Sequence, residues 1–276
     1  MTAGPIFEPW IHGADPRGAA IEPPIQVQWF GDRTAVLRQS KAVDYEAPFL
    51  FLLFGDDRAF LLDSGATVDA AAFPLRATVD ALVADWLAQH PREGYELVVA
   101  HTHAHGDHVA GDAQFVDRPN TTIVGTDVES VRSFYGFSAG PDQVARLDLG
   151  GRILEAIRIP GHDETSIALF DAETGWLLTG DSVYPGRLYV TDGPAFVASV
   201  ARLDDFAGAR PVTAILGCHI EMTRMPGVDY PTGTLWQPDE PPLELTVAHL
   251  AQLREVADVA LVPGRYVFDD FIIESR

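Results

Sequence analysis

The sequence predicts an α/β fold, because strand-like runs alternate with helix-like patterns along most of its 276 residues. Ligand-type side chains recur where the predicted strands end, which is where α/β enzymes place their chemistry. The strand-like runs within residues 25–63 are joined by short turns, so the fold is predicted to open with antiparallel pairing. The length suits one large core. We therefore expect one domain over residues 1–276, with residues 222–276 as a carboxy-terminal extension of loop, helix and strand.

The first predicted elements are a strand meander and a helix. The strands are IQVQWF, TAVLRQ, FLFLLF and AFLLD, all within residues 25–63. Residues 74–90 repeat apolar side chains at helical spacing and predict a helix with one apolar face. The strand ELVVA at residues 96–100 follows this helix, and a cluster of histidines begins where that strand ends.

The later elements continue the alternation, without an internal repeat or a low-complexity linker. The apolar run VTAILGC predicts a buried strand that leads directly to His219. A Pro-rich acidic excursion at residues 226–242 separates this strand from the last helix. The remaining predictions are strands at residues 152–160, 166–171 and 176–181, and helices at about 194–209 and 243–259.

Composition narrows the class of partner. The formal net charge of −21 opposes binding to phosphate backbones and anionic membrane surfaces, so we expect neither a nucleic acid nor a membrane as partner. The sequence shows no signal-peptide pattern and no run of about 18 apolar residues, which predicts a soluble cytoplasmic protein. The single cysteine, Cys218, excludes an internal disulfide and a cysteine-rich metal cage. Metal ligands must therefore be histidines and carboxylates.

The segment after ELVVA predicts half of a metal site, because neutral imidazole is a common ligand for zinc and related ions. Two histidines in it are two positions apart, so in extended backbone both imidazoles point the same way. An aspartate and a further histidine follow where the chain is predicted to turn into a helix, and they suit a second ion. Four of the nine histidines thus lie with one aspartate within eight positions: His101, His103, His105, Asp107 and His108.

Three more ligand-type residues lie at strand ends farther along the chain. His162 follows a strand in PGHDETS, Asp181 ends the strand WLLTGD, and His219 directly follows VTAILGC. His101 precedes the ligand run and faces away from His103, so we predict that it supports the site from behind or packs in the core.

Five short motifs stand out over residues 25–220. Their order and spacing resemble those of the metallo-β-lactamase superfamily. The resemblance implies an αββα sandwich of two mixed β-sheets flanked by helices, with metal ions at one edge. The motifs are LLDSG at 61–65, THAHGDH at 102–108, PGHDETS at 160–166, LLTGD at 177–181 and GCH at 217–219.

The resemblance also implies a dinuclear site in which two ligand groups share one carboxylate. We expect two Zn²⁺ ions per chain, with Mn or Fe as other metals that the same ligands accept. On this mapping one ion is held by His103, His105 and His162, the other by Asp107, His108 and His219, and Asp181 bridges them.

Departures from related motifs narrow the reaction. Position 105 is histidine, where the similar diiron flavoproteins have glutamate, and this favours a zinc-type hydrolase. The aspartate at position 181 resembles the bridging carboxylate of glyoxalase II, the lactonases and the phosphodiesterases, whereas true β-lactamases have cysteine or serine at this position. The charge disfavours phosphodiesters, and Arg254 as the one basic residue in 226–259 disfavours glutathione thioesters. The predicted substrate is a small neutral or weakly charged ester, lactone or thioester.

The predicted mechanism is hydrolysis by a hydroxide that bridges two metal ions, since coordination lowers the pKa of water from about 15.7 to about 7. Asp107 is predicted to orient this hydroxide and to carry a proton to the leaving group. Tyr184 and Tyr189 are predicted as candidate oxyanion donors, because a tyrosine serves so in some lactonases that the chain resembles. Packing in the loop is the alternative for both.

Other functions stay open on the sequence alone. A mononuclear iron persulfide dioxygenase resembles this fold and shares the first three histidines. A weak β-lactamase-like hydrolase and a metal-stabilised binding module without turnover are further alternatives. The pocket walls are predicted at residues 134–137, 184–190 and 222–242, the last including Trp236. Their aromatic residues leave a homodimer contact open.

Several residues beside the motifs have a structural interpretation as well. Cys218 is predicted to be a buried apolar filler. Asp63 is predicted either to orient a metal-bound histidine or to cap the turn at Ser64 and Gly65. Asp163 and Glu164 are predicted as solvated loop charges, with tuning of the metal rim as the alternative.

Overall fold

The computed structural model describes residues 6–18, 22–137 and 144–276. The expectation that the chain begins without a signal segment rests in part on residues 1–5, which lie outside the described residues. Over the described ranges, no helix combines the length and the apolar composition needed to cross a membrane.

The elements of the described ranges are labelled in chain order. The strands are β1 (Ile25–Phe30), β2 (Thr34–Gln39), β3 (Phe49–Phe54), β4 (Arg58–Leu62), β5 (Glu96–Ala100), β6 (Thr121–Ile123), β7 (Val144–Asp148), β8 (Ile153–Arg158), β9 (Ile167–Asp171), β10 (Trp176–Gly180), β11 (Arg187–Val190), β12 (Ala214–Gly217), β13 (Glu244–Leu245), β14 (Gly264–Val267) and β15 (Ile272–Ser275). The helices are α1 (Leu75–Gln89), α2 (Gly106–Val109), α3 (Val128–Tyr135), α4 (Gly193–Gly208) and α5 (Val247–Val256).

The first sheet contains β1 to β6 in spatial order, with β1 to β4 as the predicted antiparallel meander. β5 and β6 then add in parallel, because α1 carries the chain back across the sheet between β4 and β5. α1 buries Leu75, Val79, Val83 and Trp86 on one face, at the spacing that predicted it.

The second sheet has the order β13-β12-β10-β9-β8-β7, and it mixes parallel and antiparallel pairs. β8 and β9 are antiparallel, as are β9 and β10, so β8 and β10 run in the same direction. β12 pairs with β10 in parallel. The carboxyl ends of β8, β10 and β12 therefore meet at one edge, and these are the strands that precede His162, Asp181 and His219.

Three apolar cores define four layers. The alternation within β3 shows the arrangement, since Phe49, Phe51 and Leu53 enter the core between the two sheets, whereas its other three side chains enter the core under α1. A third core packs α4 and α5 on the outer face of the second sheet. The predicted α/β fold of two mixed sheets flanked by helices is confirmed.

The carboxy-terminal residues differ from the prediction. The predicted helix over residues 243–259 is shorter, because Glu244 and Leu245 pair with β12 as β13 and α5 begins only after Thr246. Thr246 and His249 form a capping box that fixes this start. The extension also holds three strands rather than one, since β14 and β15 follow β13 and join β11 in a small third sheet.

Candidate metal centre

Three histidines converge at the shared edge, as the sequence predicts. Nε2 of His162 lies 3.2 Å from Nε2 of His103 and 3.0 Å from Nδ1 of His105. His103 and His105 lie in the segment between β5 and α2, and His162 follows β8. One layer of the sandwich thus supplies two of these imidazoles and the other layer supplies the third.

A second group lies beside the first. Nε2 of His108 and Nε2 of His219 are 3.4 Å apart, and Oδ2 of Asp107 lies 3.2 and 3.3 Å from them. Oδ1 of Asp181 is 3.5 Å from the His108 nitrogen and 3.4 Å from the His219 nitrogen. Four candidate ligand atoms therefore surround one point.

Asp181 faces both groups. While Oδ1 faces the second group, Oδ2 lies 4.0 Å from Nε2 of His103 and 3.8 Å from Nε2 of His162. Oδ1 is buried, and within the described residues it accepts no hydrogen bond. A buried carboxylate oxygen without a donor is costly unless a cation lies beside it.

The donor spacing fits metal ions. Four-coordinate zinc, with nitrogen ligands at roughly 2.0–2.1 Å, places neighbouring ligand atoms about 3.3 Å apart. The nitrogen pairs within the two groups, 3.0 to 3.4 Å apart, match this spacing. The residues present therefore fit a pair of bound cations.

The opposite ring nitrogen of each buried histidine has an oxygen partner. Nδ1 of His162 donates to the Tyr189 carbonyl at 2.8 Å, and Nδ1 of His219 donates to the Glu46 carbonyl at 3.0 Å. Nδ1 of His108 lies 2.9 Å from Oδ2 of Asp63. A proton held at Nδ1 leaves the Nε2 lone pair free for a metal ion.

Asp63 lies behind the second group as a hydrogen-bond acceptor. Its carboxylate is fully buried and accepts from the Thr102 backbone N–H at 2.7 Å and from the Thr102 hydroxyl at 2.9 Å, besides its contact with His108. Of the two predicted interpretations, orientation of a histidine is the one this geometry supports. Thr102 was not singled out in the sequence, although it lies within the THAHGDH motif.

The prediction for Cys218 is wrong in one respect. The residue is buried, but its thiol donates to Oδ2 of Asp63 at 3.2 Å instead of serving only as apolar filling. Cys218 contacts Asp63, while Nε2 of His219 lies 3.4 Å from Nε2 of His108. The thiol therefore belongs to the polar support of His108.

Burial and close charges shift the acid–base equilibria of the cluster. Burial lowers the pKa of His103 well below its usual value, and the charge that His108 carries in the metal-free cluster adds to this, because Asp181 and Asp63 outweigh burial and raise the pKa of His108. Burial would raise the pKa of Asp181, but the nearby imidazoles of His219 and His108 outweigh it and hold this pKa well below its usual range. The pKa of Asp107 is lowered in the same way against its burial, by His108 and His219. Both carboxylates are anionic, as cation ligands must be.

The cluster is open on one side. The His105 side chain is 44% exposed and that of Asp107 is 20% exposed, whereas His108 is fully buried. Oδ2 of Asp163 lies 3.9 Å from the His105 ring on this side, and Glu164 is exposed as predicted. The cluster is therefore reached from solvent past His105 and Asp107.

The two predicted tyrosines differ in their surroundings. The Tyr184 hydroxyl is buried, donates to the Arg187 carbonyl and lies 3.1 Å from Glu221. This matches the packing alternative, because its single proton is already used. The Tyr189 side chain is partly exposed, and its hydroxyl accepts from Nε of Arg187 at 3.0 Å, which leaves its own proton available to a ligand.

We therefore expect Tyr184→Phe to leave turnover within about threefold of the wild type, since loss of a true oxyanion donor costs about 10²–10³-fold. The steady-state kcat of the two proteins on one acyl substrate is the measurement. A drop of 100-fold with unchanged metal content would restore Tyr184 as an oxyanion donor.

Other predicted residues lie away from the cluster. His101 is buried and its Nε2 lies 2.9 Å from Asp112, so it supports the segment from behind as predicted. Trp236 packs edge-on against His12 in the amino-terminal segment. Tyr135 and Phe137 are buried in the core between the sheets, so these two side chains are core residues.

The amino-acid sequence of the chain is similar to those of known proteins and their family. A family model described as the metallo-beta-lactamase superfamily matches residues 47–265. The chain is 31% identical over 160 residues to a hydroxyacylglutathione hydrolase of Synechococcus sp. (strain JA-2-3B'a(2-13)), across 54% of this chain and 58% of that protein. It is 30% identical over 161 residues to a protein of the same name from Rhizobium meliloti (strain 1021), across 56% and 59%. The chain thus spans less than two thirds of the length of these curated relatives.

Solved structures are similar in fold. A metallo-beta-lactamase from Pontibacter korlensis has a TM-score of 0.57 at 11% identity, covering 84% of this chain and 98% of that chain. A metallo-beta-lactamase from Hirschia baltica has a TM-score of 0.52 at 18% identity, covering 71% and 91%. At these identities the likeness concerns the fold alone.

Proposed function

The chain belongs to the metallo-β-lactamase superfamily, and we propose that it is a dinuclear metal-dependent hydrolase of acyl bonds. The observation that carries the proposal is the pair of facing ligand groups that share Asp181. We assign one Zn²⁺ to His103, His105 and His162, and a second to Asp107, His108 and His219. Cations held by these residues would supply a nucleophile derived from water near neutral pH and would polarise the acyl carbonyl, because coordination lowers the pKa of water to about 7.

The chain's own residues hold and orient the reactants. Asp107 lies at the open side and its pKa is lowered, so we assign its carboxylate to orient the attacking oxygen, take a proton from it and pass that proton to the leaving group. The hydroxyl of Tyr189 keeps its proton for a developing oxyanion, since it accepts from Arg187. Asp63 and the carbonyls of Glu46 and Tyr189 hold three imidazoles in the tautomer that the reaction needs.

We propose a thioester as the substrate, and esters and lactones as alternatives because they contain the same kind of acyl bond. Thioester hydrolysis is favoured because relatives at about 30% identity are named hydroxyacylglutathione hydrolase. Glutathione itself is disfavoured as the thiol part, since Arg254 pairs with Asp204 and Asp205 and cannot serve an anionic substrate. A small neutral or weakly charged thiol or alcohol fits the acidic chain better.

Metal content tests the proposal directly. We expect purified protein to hold two zinc ions per chain, to lose turnover on chelation and to regain it with two equivalents of Zn²⁺. Elemental analysis and a panel of thioesters, esters, lactones and β-lactams are the measurements. One iron per chain with persulfide oxidation would establish the dioxygenase instead, and two zinc ions without turnover on any substrate would leave a binding module.

A further inference from the structure

The chain contains one lysine, Lys41, beside eighteen arginines. This lysine is 4% exposed, so it is not a surface charge. Lysine can release its proton when buried, and arginine in practice cannot. All other basic side chains of the Lys and Arg type in this chain are arginines. The role of the one buried lysine therefore needs an explanation.

Lys41 lies across a compact turn between β2 and β3. Its Nζ donates to the Tyr45 carbonyl at 2.9 Å across the turn. The backbone N–H groups of Val43 and Asp44 donate to the Ser40 carbonyl at 2.9 and 3.2 Å. Ala47 closes the turn with φ of 44°, which is unfavourable for a residue with a side chain and is maintained by the surrounding contacts.

The turn ends on the metal centre. The next carbonyl after that of Tyr45 belongs to Glu46, and it accepts from Nδ1 of His219 at 3.0 Å. The peptide that Lys41 holds is thus directly joined to the residue whose carbonyl orients His219. Phe49 fixes the other end of the segment, because its backbone N–H donates to the Cys218 carbonyl at 2.8 Å.

We propose that Lys41 is a positioning residue for the second metal position, which it serves by holding the 45–46 peptide so that the Glu46 carbonyl fixes His219. The inference rests on the proposed dinuclear function. Among the described residues, the hydrogen bond of Lys41 goes to the Tyr45 carbonyl and not to a ligand residue, so we assign its effect to the turn.

The charge of Lys41 is not explained by fold stability. Burial lowers its pKa to about 8, and Arg38 on β2 adds to this, while Glu240, Glu221 and Glu46 oppose it. A pKa below the unfolded value means that the native state binds the proton less tightly than the unfolded chain does. Stability therefore rises with pH between about 8 and 10.5, and protonated Lys41 works against folding at neutral pH.

The backbone of Gly13 lies close against the stem of Lys41. Gly13 has φ of 103°, and a Cβ at this position would lie 2.7 Å from Cβ of Lys41 and 2.1 Å from the Leu235 carbonyl oxygen. The amino-terminal segment and the 222–242 excursion therefore close over the lysine, and its environment is fixed by packing.

Lys41→Met tests the proposal, with Arg224→Met as a control that removes an exposed cation outside the turn. In Lys41→Met we expect Zn²⁺ to bind about tenfold or more weakly at the second position, the one that contains His219. We expect the affinity of the other position to be unchanged. We also expect the urea midpoint of the metal-free variant not to fall. Equal affinity for both zinc ions in Lys41→Met and wild type would overturn the proposal, as would a lowered midpoint, which would make Lys41 a structural anchor.

A second readout needs no variant. Protein grown with ¹⁵N-lysine gives one side-chain signal, because Lys41 is the single lysine. We expect this signal to shift with the second equivalent of Zn²⁺ and not with the first, and a signal unmoved by both would overturn the proposal. If the wild type binds two zinc ions and the signal responds, yet no acyl substrate is cleaved, the proposed function fails and the role of Lys41 stands.

Discussion

Replacing Asp181 with alanine is expected to abolish binding of one of the two proposed metal ions and to lower the proposed turnover at least about 10³-fold. The carboxylate faces both ligand groups, and its buried Oδ1 has no hydrogen-bond donor among the described residues. Metal ions contribute several kcal/mol of transition-state stabilisation, and each 1.36 kcal/mol is a factor of about ten in rate. Metal content and kcat, measured on the same preparation, test this expectation.

Glu164→Ala is the matched control for Asp181→Ala. Glu164 is exposed and follows His162 by two residues, so its loss removes a carboxylate near the cluster without removing a candidate ligand. We expect this control to keep both metal ions and wild-type turnover. If Asp181→Ala also kept both, Asp181 would not bridge the ions.

Replacing Asp63 with alanine is expected to lower the free energy of unfolding by roughly 3–5 kcal/mol, as for other buried charges that lose one partner. The backbone N–H of Thr102, its hydroxyl and the His108 ring would all lose their acceptor inside the protein. Alanine also disfavours the φ of 68° that Asp63 adopts. Urea unfolding of the metal-free protein measures this loss.

Asp63→Asn separates the support of the metal centre from the support of the fold. Asparagine tolerates the left-handed backbone and keeps the volume, so we expect a smaller loss of stability. Its amide N–H₂ cannot accept the proton of His108 Nδ1, so affinity for the second zinc should fall about 10–100-fold. If Asp63→Asn bound both zinc ions as tightly as the wild type, Asp63 would only cap the turn at Ser64 and Gly65.

The sequence predicted the elements that carry a strong apolar signal. FLFLLF reads as a strand because both of its faces are buried, and α1 reads as a helix because its buried positions recur at helical spacing. β6 and β7 were not predicted, since TTI and VARLD are short and half-exposed and so carry no clear alternation. α3 was missed as well, although Asp127 caps its first turn.

The candidate site was predictable where it depends on side chains. The histidines and aspartates of the cluster stand out by type and spacing, and the structure brings all seven together in the two predicted groups. Backbone acceptors such as the carbonyls of Glu46 and Tyr189 leave no mark in the sequence, because every residue has one. The lone lysine was visible in the composition, but its link to His219 depends on a turn that only the fold defines.

The ligand groups draw on both layers of the sandwich. β5 of the first sheet is followed by four of the candidate ligands, His103, His105, Asp107 and His108. Strands of the second sheet are followed by the other three, His162, Asp181 and His219. Ions bound between them would cross-link two halves of the molecule, in addition to the apolar core and hydrogen bonds such as that from the Phe49 N–H to the Cys218 carbonyl. At a free metal concentration a thousand times the dissociation constant, such a link adds about 4 kcal/mol to the stability of the folded chain. Zinc starvation would then shorten the lifetime of the protein and also remove its proposed activity. The abundance of the protein in the cell would therefore follow the supply of metal.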